Sequence, residues 1–259
     1  MTRALLLVVL GAALGAAPAE GQRRRGGGEG GMFSEGGYLP NAPYDGRFTF
    51  VRVKFSAAGD GFGFRGRDPK WDHDYPRAER HFTKILEELT TLQPRTQVSN
   101  ILGFDDPELF KFPVAYLCEP GFWNPTEPEV AGLQAYLKKG GFLIIDDFAG
   151  NHIFNLEGQL RRVLPDARML PIPVEHPVFD SFYKIESFEG YVHPYAQVQT
   201  QFLGIFENND PTKRLMVAIN YNGDLAEYWE FSDSGFFAID LSNESYKLGV
   251  NYIVYALTR

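Results

Sequence analysis

Two adjacent carboxylates, Asp146 and Asp147, close the run Gly140-Gly141-Phe142-Leu143-Ile144-Ile145-Asp146-Asp147-Phe148-Ala149-Gly150. Carboxylates at the end of an apolar run suit proton transfer, provided that their surroundings separate two pKa values into an acid and a base. Glu119, which follows another apolar run, is the candidate partner for either aspartate. Neighbours on a continuing strand point to opposite faces, so one of Asp146 and Asp147 is expected to face a cleft and the other to cap the next turn. A divalent metal held by these acids with His152 or His176 is a second chemistry. No tight ligand motif of the HExxH kind occurs, so no metal site is assigned and no cofactor is expected. Purely structural capping by the acids is the third reading.

His176 and His193 both precede proline, which suits turns that fix a loop, and His81 lies beside the apolar stripe of a helix. Each fits a hydrogen-bonded structural role, with His176 the best single catalytic candidate among them. Trp71, Asp72, Tyr75, Trp123 and Asp147 form the expected ligand-binding set, because aromatic faces can stack a sugar or peptide beside polar groups. Tyr221 and Trp229 are further platforms, close in sequence to Asn220, Asn222 and Asp224. Cys118 is the one cysteine, so no intramolecular disulfide can form. It reads as a small buried apolar group rather than a nucleophile. There is no GxSxG elbow and no GxxxxGK[ST] loop, and Gly59-Asp60-Gly61-Phe62-Gly63 lacks the spacing of a dinucleotide fingerprint.

Positioning these side chains falls to an alternation of strands and helices. Phe48 to Phe55 reads as the first strand, and the long loop from Ser56 to Tyr75 follows as a candidate wall of the site. Pro76 fits a first helical position, with Phe82, Ile85, Leu86 and Leu89 supplying the apolar stripe. Thr96 to Leu102 and Pro113 to Cys118 are the next strands. Thr126-Glu127-Pro128-Glu129 resembles a capping box, opening a helix that buries Val130, Leu133 and Leu137 and stops at Gly140 or Gly141. The aspartate strand comes next, then a helix through Leu156, Leu160, Val163 and Leu164.

Met169 to Val174 is an expected edge strand because its prolines cannot donate to a ladder. Leu203 to Phe206, Leu215 to Asn220 and Glu227 to Phe231 look like further strands, with Asn222-Gly223 as a tight turn between the last two. Tyr246, Val250, Ile253, Val254 and Leu257 give a C-terminal helix its apolar face. The order predicts an α/β fold: a three-layer, doubly wound, mostly parallel sheet with helices on both faces and antiparallel additions near the C-terminal end. In such a sheet the loops after Phe55, Cys118 and Asp146 converge.

Residues 1–19 have the order of a secretory signal peptide: Met1-Thr2-Arg3, an apolar run from Ala4, and Ala17-Pro18-Ala19. An uncleaved anchor is the rival reading, but the apolar run is shorter than the roughly 20 residues that a spanning helix needs. Residues 20–47, rich in glycine and holding Arg23-Arg24-Arg25, read as a flexible segment, and residues 48–259 as the folded domain. The expected location is the periplasm or the exterior, with membrane association only through an uncleaved N-terminal segment. Acidic residues number 33 against 25 basic ones, which argues against a nucleic-acid footprint. An envelope protein or a polar ligand such as a glycan or peptide is the expected partner.

The runs Trp71 to Glu79, Glu119-Pro120-Gly121, Gly140 to Phe148, His176-Pro177-Val178-Phe179 and Leu248 to Leu257, in this order, resemble the DUF4159 family of bacterial proteins. The resemblance implies a fold like that of class I glutamine amidotransferases, whose catalytic cysteine sits on the sharp turn after a central strand. The comparable strand here ends in Asp146-Asp147-Phe148-Ala149-Gly150, and Cys118 follows a different strand. Glutamine hydrolysis by that mechanism is therefore disfavoured. The resemblance brings no activity with it. What remains open is a binding domain without catalysis, a hydrolase using Asp146 or Asp147 with Glu119 or His176, or an assembly component with no small-molecule site.

Overall fold

The computed structural model describes residues 37–56 and 68–259. The expected signal peptide, the segment before residue 37, and residues 57–67 of the expected site loop lie outside these residues, as does the run from Gly59 to Gly63.

Short, mostly apolar runs make the strands, and stretches with helical apolar spacing make the crossovers. In chain order these are β1 (Val51–Val53), α1 (Arg77–Leu89), β2 (Asn100–Leu102), β3 (Val114–Cys118), α2 (Glu127–Lys138), β4 (Phe142–Asp146), α3 (His152–Val163), β5 (Leu170–Pro171), β6 (Gln201–Phe206), β7 (Leu215–Tyr221), α4 (Leu225–Glu230) and α5 (Ile239–Thr258). The strands form one sheet in the order β2-β1-β3-β4-β7-β6-β5. β2, β1, β3, β4 and β7 are parallel, while β6 and β5 add antiparallel strands at one side. This is the predicted fold class.

Period-two alternation gives the sheet two buried faces. Val51, Val53, Ala115, Leu117, Leu143, Ile145, Val217 and Ile219 pack beneath α2 and α3. Tyr116, Phe142, Ile144 and Ala218 pack beneath α1, α4 and α5. The chain leaves β1 toward β2 on one side and returns to β3 on the other, so the β1 and β3 ends flank the crevice where doubly wound sheets hold ligands.

Local signals act as expected at α2. Thr126 Oγ1 accepts from the Glu129 N–H at 3.4 Å, and Glu129 Oε2 accepts from the Thr126 N–H at 2.8 Å, completing the capping box. Gly140 takes the left-handed conformation at φ 106° that releases the chain into β4.

Several expected elements differ. Only residues 51–53 of the first run and 100–102 of the second pair as strand, although Phe48, Phe50 and Phe55 are buried. Leu89 and Leu257, assigned to apolar faces, are exposed in the last turns of their helices. The largest correction is Glu227 to Phe231. It is not a strand but most of α4, and Asn222-Gly223 turns β7 into that helix. All six residues of α4 are buried, and although Glu227 and Glu230 stand at helical spacing, six residues are too short a window for period to separate a helix from a strand.

Candidate functional site

The carboxyl ends of β3 and β4 leave the sheet side by side. Cys118 pairs with Asp146 across the ladder, so the following residues, Glu119 and Asp147, emerge next to each other. Both have left-handed backbones, at φ 48° and 58°, a conformation that costs a non-glycine residue energy and clusters where side chains are aimed for function. Beside them, Phe148 N–H donates to Gly223 O at 3.1 Å, which holds the β7 turn, and with it Asp224, against the end of β4.

The fourth wall is the segment before α1. Arg52, wholly buried on β1, donates through its guanidinium to Trp71 O at 3.1 Å and to Glu79 Oε1 at 2.5 Å. Tyr38 Oη donates to Asp72 at 2.6 Å and packs on the Trp71 ring. These ties present His73 and Asp74 over the strand ends. His73 Nδ1 lies 3.3 Å from Glu119 Oε1 and 3.7 Å from Asp147 Oδ2, and its Nε2 lies 3.0 Å from Asp68 Oδ1. His152, the first residue of α3, reaches within 3.9 Å of the other Glu119 oxygen. It comes that close because Gly121 has no side chain: a Cβ there would sit 2.3 Å from the His152 ring.

Behind Asp147 the site turns into a buried acid cluster. Asp74, Asp147 and Asp224 bring carboxylate oxygens within 4.8 Å of one another, and Asp74 forms a second such group with Glu227 and Glu230 of α4. Among the described residues no lysine or arginine forms an ion pair with Asp74, Asp147 or Asp224. Burial, then the neighbouring Asp224 and Asp147, pushes the Asp74 carboxyl well above its usual range, and Asp224 is raised in the same way by burial and Asp147. Glu227 is pushed up to about 7 by burial, and Tyr195 Oη contacts its carboxylate. Burial alone would lower the His73 pKa, but Asp147 and Glu119 raise it to about 11. On the open side His73 is thus shared by Glu119 and Asp147, and the buried side is a set of acids whose hold on a proton is raised.

The adjacent aspartates divide as the strand period predicts. Asp146 is fully buried and accepts from the Leu225 and Ala226 N–H groups at 2.7 and 3.3 Å, from Tyr116 Oη at 3.0 Å and from Asn220 Nδ2 at 3.0 Å. It anchors the start of α4, whose N-cap is Asp224. Asp147 is the one that faces the cleft, beside Glu119.

The other expected residues lie elsewhere. His176 is buried against Phe206 and Tyr255, and its Nδ1 accepts from the Val178 N–H at 3.2 Å. Phe206 pairs with Leu215 at the start of β7, so His176 stands at the opposite end of the sheet from Asp224. Trp123 is buried against Phe104, Trp71 and Tyr75 are buried in the loop before α1, and Trp229 stacks on Phe82 inside the core. None of the four offers a free stacking face. Asp72 is engaged by Tyr38 on the flank of the same loop. Cys118 is sealed at the end of β3 with its thiol pushed well up by burial, and it donates to Trp71 O at 3.3 Å, so no thiolate is presented.

His73, Asp74, Asp224 and Glu227 join the site without having been singled out as catalytic or ligand residues. The one signal for the first pair was their place in the Trp71 to Tyr75 cluster, read as a site wall.

The fold and this constellation define a doubly wound α/β domain with a histidine-carboxylate site at its strand ends. The family model named Domain of unknown function (DUF4159) matches residues 49–257, and the chain belongs to that family. A search of curated proteins finds no match.

Proposed function

We propose that this chain is an exported bacterial envelope protein, periplasmic or secreted, whose α/β domain binds a polar ligand such as a glycan or peptide at the strand ends without turning it over. The observation that carries this reading is the convergence of His73, Glu119, Asp147 and Asp224 from four separate segments on one spot. Glu119 and Asp147 accept no backbone N–H among the described residues, unlike Asp146, so their hydrogen-bonding capacity is available to a ligand. Export rests on the charged, apolar and small-residue order of residues 1–19.

The likeness to class I glutamine amidotransferases is taken to extend to the fold. The parallel strands follow the order 2-1-3-4-5 of one common doubly wound class, and sharp left-handed turns follow β3 and β4. With Cys118 sealed, thiolate-based glutamine hydrolysis is no part of the reading. A carboxylate hydrolase is the second reading, favoured by one observation: Asp74 and Asp224, both pushed above the usual carboxylate range by burial, stand beside Asp147 in one cluster, the kind of crowding from which an acid and a base can be separated.

The test is capture from envelope extract by the immobilised full chain, wild type against Asp147→Ala. A glycan or peptide retained by wild type and lost from the variant is expected. Equal retention would remove Asp147 from the reading, and cleavage of the retained molecule on incubation would favour the hydrolase.

A further inference from the structure

We propose that His73, Glu119 and Asp147 hold a divalent cation, with the buried carboxylates of Asp74 and Asp224 standing behind Asp147. The inference rests on the strand-end site being where the ligand binds, and it names what that ligand would meet there. An ion with bonds of roughly 2.0–2.2 Å to nitrogen and oxygen sets neighbouring donor atoms roughly 3.0–3.6 Å apart. The 3.3 Å between His73 Nδ1 and Glu119 Oε1 falls within that range, and the 3.7 Å to Asp147 Oδ2 lies just above it.

The imidazole is also arranged as metal-bound histidines are. One nitrogen faces the two carboxylates, while Nε2 faces Asp68, which is itself fixed by Lys70 Nζ at 2.6 Å. A carboxylate on the far nitrogen sets the tautomer and turns the near nitrogen toward the ion.

An independent observation comes from the buried side. Asp74 is 7% exposed, and among the described residues its Oδ2 accepts from no N–H or hydroxyl group, its carboxyl meeting the Glu227 carboxyl instead. A buried polar atom left unsatisfied costs about 1–3 kcal/mol, more when charged, so such atoms call for an explanation. Asp74 reaches within 4.8 Å of the Asp147 and Asp224 oxygens, with no lysine or arginine paired to any of the three. A divalent cation at Asp147 would displace the His73 proton, the one positive charge paired with Asp147 among the described residues, and bring two charges in place of one. One nitrogen and several carboxylate oxygens suit Mn²⁺ or Zn²⁺ better than Ca²⁺, which takes oxygen ligands. A coordination position left open toward solvent would then receive a hydroxyl or carbonyl oxygen of the glycan or peptide.

The experiment is calorimetric titration of the metal-stripped full chain with Mn²⁺ and Zn²⁺, with Ca²⁺ as the oxygen-only comparison. Mn²⁺ or Zn²⁺ is expected to bind one to one, at least tenfold more weakly in Asp147→Asn and Glu119→Gln. Asp68→Asn, which meets the imidazole only at its far nitrogen, should weaken binding roughly tenfold to a hundredfold. Asparagine tolerates the left-handed backbone at position 147 and removes a crowded charge, so the variant in EDTA should melt no lower than wild type while losing the rise in melting temperature that metal gives. If Asp147→Asn fails to fold, Glu119→Gln and Asp68→Asn carry the same comparison. Absence of binding to wild type, or equal affinity in wild type and variants, overturns the proposal. Ligand capture that persists in EDTA with no metal bound would sink this inference and leave the binding function standing. Metal binding lost in the variants, with no ligand captured, would support the cation site and sink the binding function alone.

Discussion

Asp146 and Asp147 are neighbours with unlike duties, and the difference comes from two torsions and one packing choice. Asp146 is still in β4, so its side chain enters the face covered by α4 and α5, where two backbone N–H groups and two side chains donate to it. Asp147 has left the strand at φ 58° and turns to the cleft. Asp146→Ala should therefore destabilise the fold by about 3–5 kcal/mol, since several buried donors lose their acceptor at once. Urea unfolding measures this directly, and a loss under about 1 kcal/mol would mean that the α4 amides find other acceptors. That the pair would split between cleft and cap is legible from the period of two. Which member takes which role is not, because it depends on the helix that covers each face.

At the scale of elements, the site hangs on the segment joining β1 to α1, and that segment hangs on Arg52. Its guanidinium is buried among Glu79, the Trp71 carbonyl and Cys118, and its charge lies over the Tyr116 ring. Breaking a buried ion pair from one side leaves the other charge uncompensated, so Arg52→Met should cost about 3–5 kcal/mol. Adding Glu79→Leu should recover most of that loss, and a double variant no more stable than the single one would show that Arg52 acts through the Trp71 carbonyl instead. Both residues sat in plain view in the sequence, Arg52 as a polar position of a strand and Glu79 on a helix. Their pairing was not readable, because it joins β1 to α1 across a loop whose path is set only in three dimensions. The same limit explains α4. With Leu225, Ala226, Tyr228 and Trp229 on one side and Glu227 and Glu230 on the other of a helix only six residues long, the apolar period is too short to separate helix from strand, and the helix is specified by Asp224 at its cap and Asp146 from another strand.

For the whole molecule, crowding acids at one end of a sheet couples folding to pH. Burial raises Asp146 to about 6 and Glu227 to about 7, against ordinary values of 3.8 and 4.5. Both bind protons more tightly folded than unfolded, so the stability they contribute is fully present near pH 4 and is lost as pH rises through 6 and 7. His73 acts with the same sign at higher pH: its folded value of about 11 exceeds the ordinary 6.5, so its contribution declines above that value. Urea unfolding in EDTA should show stability falling from pH 4.5 to pH 7, a window roughly framed by these shifts. A stability that climbs across that window would mean that the cluster is relieved by charges other than protons.

The sequence by itself determined the strand and helix order as far as β7, the α2 capping box, the parallel sheet with its antiparallel edge, and the end of that sheet where the acids gather. These follow from short-range periodicity and from the crossovers that parallel strands require. Only the tertiary structure decided that Glu119 and Asp147 meet His73, that Asp74 and Asp224 stand behind them, and that His176 belongs to the far end. Those facts depend on strand register and on contacts between segments distant along the chain. The physical reason is that a carboxylate is chemically the same residue as a cap or as a ligand. What separates Asp146 from Asp147 is whether folded neighbours have already filled its oxygens with donors.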